Sequence, residues 1–408
     1  MAGLAAHGEL TAASQAADGW TLSLARPEDD AGVRALLRRS VIPGAVRVAF
    51  TREPSDAAGS GLAGGVEVTL VARCGTAITA LGRCSVQSLH RNGQLQRFGY
   101  LSALRVMPGT PSSARLLRDG YAMLAEAATG AAPDGFITAI ASDNARARRV
   151  LEHGHRFGLP EYRTVASLVT LVAPVARDGR DGRDGRDGRQ QGEPGEPGER
   201  GQLGRGRSER VLEHAVGASV SLDELTDFLQ RHATRAHLTL SWDAARWTSL
   251  AVHGVSASNF CVVRREGRLR AAAAIWDQRA FRQTIIDGYE GATRLWRPAI
   301  NTLQRVRGLP ALPDPGSSLA QGALLGVSVP DARDWPALWS ALQRRARASA
   351  LAWLTVTRDA GDPQLATLQR LTRARTYRTT LYDVAWRERP SWRDAWDARG
   401  FAPEAGLL

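Results

Sequence analysis

Two short stretches of this chain carry the residue types of a phosphate site. The first is Gly109-Thr110-Pro111-Ser112-Ser113-Ala114, turn residues followed by small ones. It stands between Phe98 to Val106, dense in aromatic, aliphatic and β-branched residues, and a run with apolar residues at Leu117, Tyr121, Leu124 and Ala128. The first pattern predicts a strand and the second a helix. A strand that feeds a helix through a tight loop aims the free N–H groups of the first turn at one spot. The N–H groups of Ser112, Ser113 and Ala114 would therefore attract phosphate. The second stretch is Ser142-Asp143-Asn144, which follows the apolar strand Gly135 to Ala141 and opens another helix. Asp143 is expected to cap that helix, with Ala147, Val150 and Leu151 on one face. Asn144 then brings an amide to the same cleft, and the whole arrangement can hold a long phosphorylated molecule threaded between two strands.

The elements that must position these groups run from Trp20 to Val172. Trp20 to Leu24 reads as a strand, and Val33, Leu36 and Leu37 share a face of a first helix. Val66 to Val71 and Ala77 to Leu89 form a long hairpin leading to the strand at Phe98. This order, with SDNARARRVLEHG as its most specific part, resembles the GNAT family of N-acetyltransferases. The resemblance implies a mixed-sheet α/β fold and acetyl-coenzyme A as co-substrate. It places the pyrophosphate on Ser112, Ser113 and Ala114, an amide donor at Asn144, and pantetheine along the backbone of Leu104, Arg105 and Val106. Two positions depart from the family pattern. The loop lacks the family's basic residue and alternating glycines, with no basic side chain until Arg115, and Leu151 stands where many relatives carry a proton-donating Tyr. Tyr121 or Tyr162 would have to replace that donor, and Glu67 and Glu161 are candidate bases.

A length of 408 residues allows two domains, each burying its own core. No apolar run approaches the ~18 residues of a membrane helix, and Met1 to Ala17 lacks the pattern of a signal peptide, so the expected location is cytoplasmic, with no membrane partner. The net charge of +12 is carried wholly by arginine, which suits anions such as phosphate. No basic run is interleaved with aromatics, so nucleic acid is not the expected partner. Cys74, Cys84 and Cys261 show no metal spacing and read as small buried residues, and His153 and His155 read as a helix end. No metal is expected.

Between Arg177 and Arg207 the character changes, with glycine at every third residue from Gly179 to Gly188 and again from Gly192 to Gly204. The pattern is collagen-like but short, interrupted at Gln190-Gln191 and poor in proline, and it reads as a flexible linker whose cleavage releases two folded halves. The second half repeats the first. Ser221 and Glu224 make a capping box ahead of a face of Leu222, Leu225 and Leu229. Phe260 to Arg265 and Leu269 to Ile275 form a hairpin, Leu324 to Val329 a strand, and Asp334 caps a helix with Trp335, Leu338, Trp339, Leu342 and Ala346 on one face. Leu351 to Thr357, a helix after Asp362-Pro363, and Tyr377 to Trp386 complete it. The expected fold class is α/β (an α+β mixed sheet) with two tandem GNAT-like acyltransferase domains, 1–175 and 209–408, joined by 176–208. Gly99 to Thr129 is expected to superpose on Leu324 to Ala348. The second copy is degenerate, with Pro330-Asp331-Ala332-Arg333 for a phosphate loop and Asp359 or Asp362 for the Asn. Trp276, Gln278 and Arg279 are candidates for an acceptor pocket. Acetyl transfer to a small-molecule or peptide amine is the leading reading. The alternatives are a non-catalytic coenzyme A-binding or scaffolding protein and a protein trimerised through the Gly-X-Y tract.

Overall fold

The computed structural model describes residues 14–15, 19–62, 65–176, 220–386 and 395–407, and the Gly-X-Y tract lies outside them. The first half runs β1 (Ser14–Gln15), β2 (Thr21–Leu24), α1 (Asp30–Arg39), β3 (Val46–Thr51), β4 (Glu67–Cys74), β5 (Ala77–Arg91), β6 (Gln94–Val106), α2 (Ser113–Ala127), β7 (Gly135–Ala141), α3 (Ala145–Glu152) and β8 (Glu161–Pro174). The second half runs α4 (Leu222–Ala233), α5 (Ala244–Val252), β9 (Phe260–Arg265), β10 (Arg268–Trp276), β11 (Gln283–Tyr289), α6 (Gly291–Val306), β12 (Gln321–Ser328), α7 (Trp335–Ala348), β13 (Trp353–Asp359), α8 (Leu365–Thr372) and β14 (Arg375–Ala385). A hairpin, strand, helix, strand, helix and closing strand thus occur in both halves, with β11 and α6 inserted after the hairpin in the second. Two hairpins turn on a pair of residues of positive φ, Asn92-Gly93 between β5 and β6 and Glu266-Gly267 between β9 and β10. Turns of that hand match the twist of the strands they join.

Twelve strands make one sheet in the order β1-β2-β4-β5-β6-β7-β14-β8-β13-β12-β10-β9. Neighbours are antiparallel except for β6 with β7 and β12 with β13. The closing strands have changed places. β14 lies between β7 and β8, pairing Thr379 with Ala141 on one side and Ala385 with Glu161 on the other, while β8 pairs with β13 from Trp353↔Pro174 to Asp359↔Leu168. A second sheet of β3 and β11 also joins the halves.

The core follows the sheet across the middle. Leu89, Phe98, Ile137 and Leu168 from the first half form one buried cluster with Leu225, Phe228, Trp242 and Trp276 from the second. The expectation that cleavage frees two folded halves is corrected accordingly, because each half completes its partner's sheet. α2 buries Leu116, Tyr121, Leu124 and Ala125, and α7 buries the whole expected face of Trp335, Leu338, Trp339, Leu342 and Ala346. α4 buries Leu225, Phe228 and Leu229 but leaves its first residue, Leu222, exposed.

The two parallel strand pairs share a residue-level pattern. β6 and β7 pair only at Phe98↔Gly135, Gly99↔Phe136 and Tyr100↔Ile137, and β12 and β13 only at Gln321↔Trp353, Gly322↔Leu354 and Ala323↔Thr355. Three residues beyond the last pair, Ala103 and Gly326 both take positive φ, 54° and 61°. Gly99 therefore corresponds to Gly322, two residues earlier than the expected match to Leu324. Both glycines sit opposite large side chains. A Cβ on Gly99 would stand 2.4 Å from Phe136 Cδ1, and one on Gly322 2.7 Å from Ile275 Cγ2. Phe136 has no room to retreat, with the Trp386 ring 4.6 Å away, centroid to centroid. Gly99→Ala is expected to destabilise the protein by about 1–3 kcal/mol through overpacking. Urea unfolding measures this, and an unchanged midpoint would contradict it.

Candidate functional site

Beyond Tyr100 and Ile137 the strands β6 and β7 part. One bond bridges the opening, Thr138 Oγ1 donating to Leu101 O at 2.7 Å. β7 then follows β14, while β6 is bent away by the bulge at Ala103, where its register with β5 slips between Leu81 and Arg83. A non-glycine residue at positive φ costs roughly 1–2 kcal/mol, so this bend is imposed by the surrounding sheet. Past it, Arg105 and Val106 pair with Leu81 and Ala80 of β5, and no strand pairs with the other edge. The expected pantetheine track at Leu104, Arg105 and Val106 is therefore half of an open ladder. Leu104 is exposed and Arg105 donates from Nη1 to Leu104 O at 2.8 Å.

The loop that follows is closed by Thr110, whose N and Oγ1 both donate to Met107 O, at 3.2 and 2.9 Å. Ser112 has φ of 45°, which turns the chain into α2 without its hydroxyl capping the helix. The first helical bond is Leu116 N to Ser112 O, so the N–H groups of Ser113 and Ala114 have no acceptor within the helix. No acidic residue occupies the first turn of α2. Across the opening, α3 is capped by Asn144 rather than Asp143. Asn144 Oδ1 accepts from Ala147 N at 3.1 Å, which leaves Nδ2 to donate outward. The cap moves one residue along because Ser142 N is still bonded to Arg378 O of β14. Only Leu151 of the expected α3 face is fully buried, with Ala147 packed beside it, while Val150 is exposed.

The residues considered for proton transfer are all engaged elsewhere. Leu151 is part of the core under α2 and α3. Tyr121 and Tyr162 are buried there too, their hydroxyls hydrogen-bonded 2.6 Å apart, and burial pushes the Tyr121 hydroxyl up to about 12. Glu67 lies 3.3 Å from Arg52 and 3.4 Å from Arg83, inside a buried ion cluster with Asp56. Glu161 is held by Arg163 at 2.7 Å, a bond that lowers its carboxyl below the usual range. Trp276 is core, donating from Nε1 to His253 O at 3.2 Å. Gln278 Nε2 donates to Gly406 O at 2.8 Å, and Arg279 pairs with Asp277 at 2.6 Å. A residue that the sequence reading missed is Tyr382 on β14. Its hydroxyl donates to Glu152 at 2.6 Å and accepts from Arg148 Nε at 3.1 Å, tying α3 to the other half's closing strand.

The second opening, between β12 and β13, is furnished differently. Asp331 accepts from Arg333 N at 2.9 Å, and its hydrogen bonds with Arg333 hold its carboxyl down at about 2. Asp362 Oδ1 accepts from Gln364 N at 2.8 Å, and Asp359 from Gly361 N at 2.7 Å and Phe401 N at 3.0 Å. At the bulge itself, both oxygens of Glu404 lie 3.1 Å from Gly326 N. Backbone N–H groups of Gly326, Arg333, Gly361 and Gln364 around this opening are thus occupied by the chain's own carboxylates. Since β7, β14, β8 and β13 alternate in direction, the two openings face opposite ends of the sheet.

Among the described residues no cluster of metal-ligating side chains occurs, and no helix is long and apolar enough to cross a membrane. No known family model matches the sequence, and no curated protein does. Solved structures do resemble it. The N-myristoyltransferase of Saccharomyces cerevisiae with bound myristoyl-CoA has a TM-score of 0.54 at 10% identity, covering 96% of this chain and 90% of its own. A protein of Pyrococcus horikoshii described as an acetyltransferase has a TM-score of 0.47 at 8% identity, covering 98% and 99%. A GCN5-related N-acetyltransferase of Anabaena variabilis has one of 0.42 at 11% identity, covering 89% and 72%.

Proposed function

With the mixed α/β fold of GNAT-like acyltransferases as its frame, we propose that this chain transfers an acetyl group from acetyl-coenzyme A to an amine of a small molecule or peptide. On this reading residues 1–175 and 209–408 are tandem GNAT-like copies joined by 176–208, and the first copy holds the co-substrate. The observation that carries it is the contrast between the two openings. Ser113 and Ala114 keep N–H groups without an acceptor within α2, whereas around the second opening the N–H groups of Arg333, Gln364 and Gly326 are bonded to Asp331, Asp362 and Glu404. A helix N-terminus with free N–H groups favours a pyrophosphate, and a site already holding carboxylates repels one.

In this chemistry the amine attacks the thioester carbonyl, so the protein chiefly supplies position and a donor for the oxyanion. The unpaired edge of β6 beyond Ala103 offers backbone groups to pantetheine, and Asn144 Nδ2 offers a donor beside the phosphates. Engagement of Tyr121, Tyr162, Glu67 and Glu161 elsewhere supports a second reading, a coenzyme A-binding module without turnover. Calorimetric titration with acetyl-coenzyme A, then thiol release in the presence of an amine panel, separates the two. Binding with turnover supports transfer, binding alone supports the module, and absence of binding overturns both.

A further inference from the structure

The opening between β12 and β13 contains a cavity of about 210 Å³, walled by Leu229, Ala233, Leu324, Val327, Val329 and Val356. That is room for a ligand of a few heavy atoms, below the usual size of a drug-like site. Its polar equipment is specific. Glu404 lines the cavity and, among the described residues, its carboxylate bonds only Gly326 N, with no cation at ion-pair distance. Ser328 lines the same cavity, and its buried Oγ has no partner. Trp242 stands directly beside them, its Cζ2 only 2.7 Å from where a Cβ on Gly326 would be.

We propose that this cavity binds a small ammonium-bearing molecule, with Glu404 as counter-ion, Ser328 Oγ as acceptor and Trp242 as the aromatic wall. A desolvated carboxylate next to an indole is the arrangement that attracts an alkylammonium. The cations already present do not fill the role. Arg358 of β13 also lines the cavity; it is ion-paired with Asp362 at 3.3 Å and lies over the Trp335 ring at 5.5 Å, and its buried Nε makes no hydrogen bond among the described residues. Arg246 of α5 contributes only at longer range, as does Arg358, and Asp243 shares the field of Arg246. His232 and Arg235 of the α4 end line the cavity, Arg235 being exposed. Burial pushes the Glu404 carboxyl up to about 7, against the pull of the Gly326 N–H and of Arg358 and Arg246. The site lies at the opposite end of the sheet from the first opening and does not depend on what binds there.

Calorimetry with n-butylamine, and with butyrate as the anionic counterpart, tests the proposal. Butylamine is expected to bind at pH 8 and butyrate not to. Affinity is expected to fall as pH drops through about 7, because Glu404 then takes up a proton while the amine keeps its charge. Glu404→Gln retains an oxygen for Gly326 N and is expected to weaken butylamine binding at least tenfold, whereas Ser113→Asp in the other opening leaves it unchanged. In the unsubstituted protein the Gly326 amide resonance is expected to shift during the titration. Preferential binding of butyrate, a Gly326 resonance that does not move, or a folded Glu404→Gln protein that binds as tightly as the parent would each overturn the assignment.

Discussion

Expressed alone, residues 1–176 are expected to lack a cooperative fold and to gain one when residues 220–408 are co-expressed. The reason is the exchange of closing strands. Without β14, β7 has no partner beyond Ile137, and β8 has lost both of its neighbours, β14 and β13. Leu381, Tyr382 and Val384 of β14 are buried, and Phe98, Ile137 and Leu168 lose the cover of Leu225, Phe228 and Trp242. Burial of each such side chain is worth about 1.5–3 kcal/mol. The loss of six or more therefore matches a typical total stability of about 5–15 kcal/mol. A chain with an engineered protease site between Ala176 and Val220 should, once cut, elute as a single species containing both pieces. Circular dichroism with urea titration of the lone piece reads the first outcome and size exclusion the second. A sharp two-state transition for residues 1–176 alone, or separation of the cut pieces under native conditions, would refute the exchanged-strand account.

The parts of the fold written in local pattern were readable. Glu266-Gly267 announced its hairpin because only a few residues tolerate two successive positive φ values. The α7 face was readable because four large residues and an alanine at helical spacing leave one way to bury them. The strand exchange was not. β8 and β14 are both apolar closing strands, and either pattern would pair with β7. The choice depends on a contact between residues more than 200 positions apart, to which local periodicity is blind. The cap of α3 shows the same limit at small scale. Asp143 and Asn144 are both good caps, and the decision falls to Ser142, whose N–H is claimed by Arg378 of the distant β14. The start of α2 was legible because it is built from adjacent residues. The filling of the second opening was not, because Glu404 comes from a C-terminal segment with no motif of its own and reaches Gly326 across the fold.

Ser113→Asp is expected to weaken acetyl-coenzyme A binding about 5- to 150-fold, equivalent to about 1–3 kcal/mol. The substituted carboxylate would stand at the first residue of α2, beside the N–H groups that are proposed to receive the pyrophosphate. Its effect on the free protein should be opposite in sign. An acidic side chain in the first turn opposes the helix dipole favourably by about 0.3–1 kcal/mol, and the first turn of α2 holds no acid that would repel it. Weaker binding with an unchanged or raised melting temperature is therefore the signature of a phosphate site rather than of damage. Asn144 needs a more careful substitution. Asn144→Ala removes the bond to Ala147 N as well as the amide donor, so it should cost about 1 kcal/mol of stability whatever its effect on binding. Asn144→Asp keeps an acceptor for Ala147 N and replaces the donor with a charge, so it is expected to reduce affinity while leaving α3 capped. Calorimetric dissociation constants for the parent and both aspartate variants, taken with their thermal melts, decide the matter. If both folded variants bind acetyl-coenzyme A as tightly as the parent, the opening between β6 and β7 does not hold the pyrophosphate, and the proposed placement of the co-substrate fails.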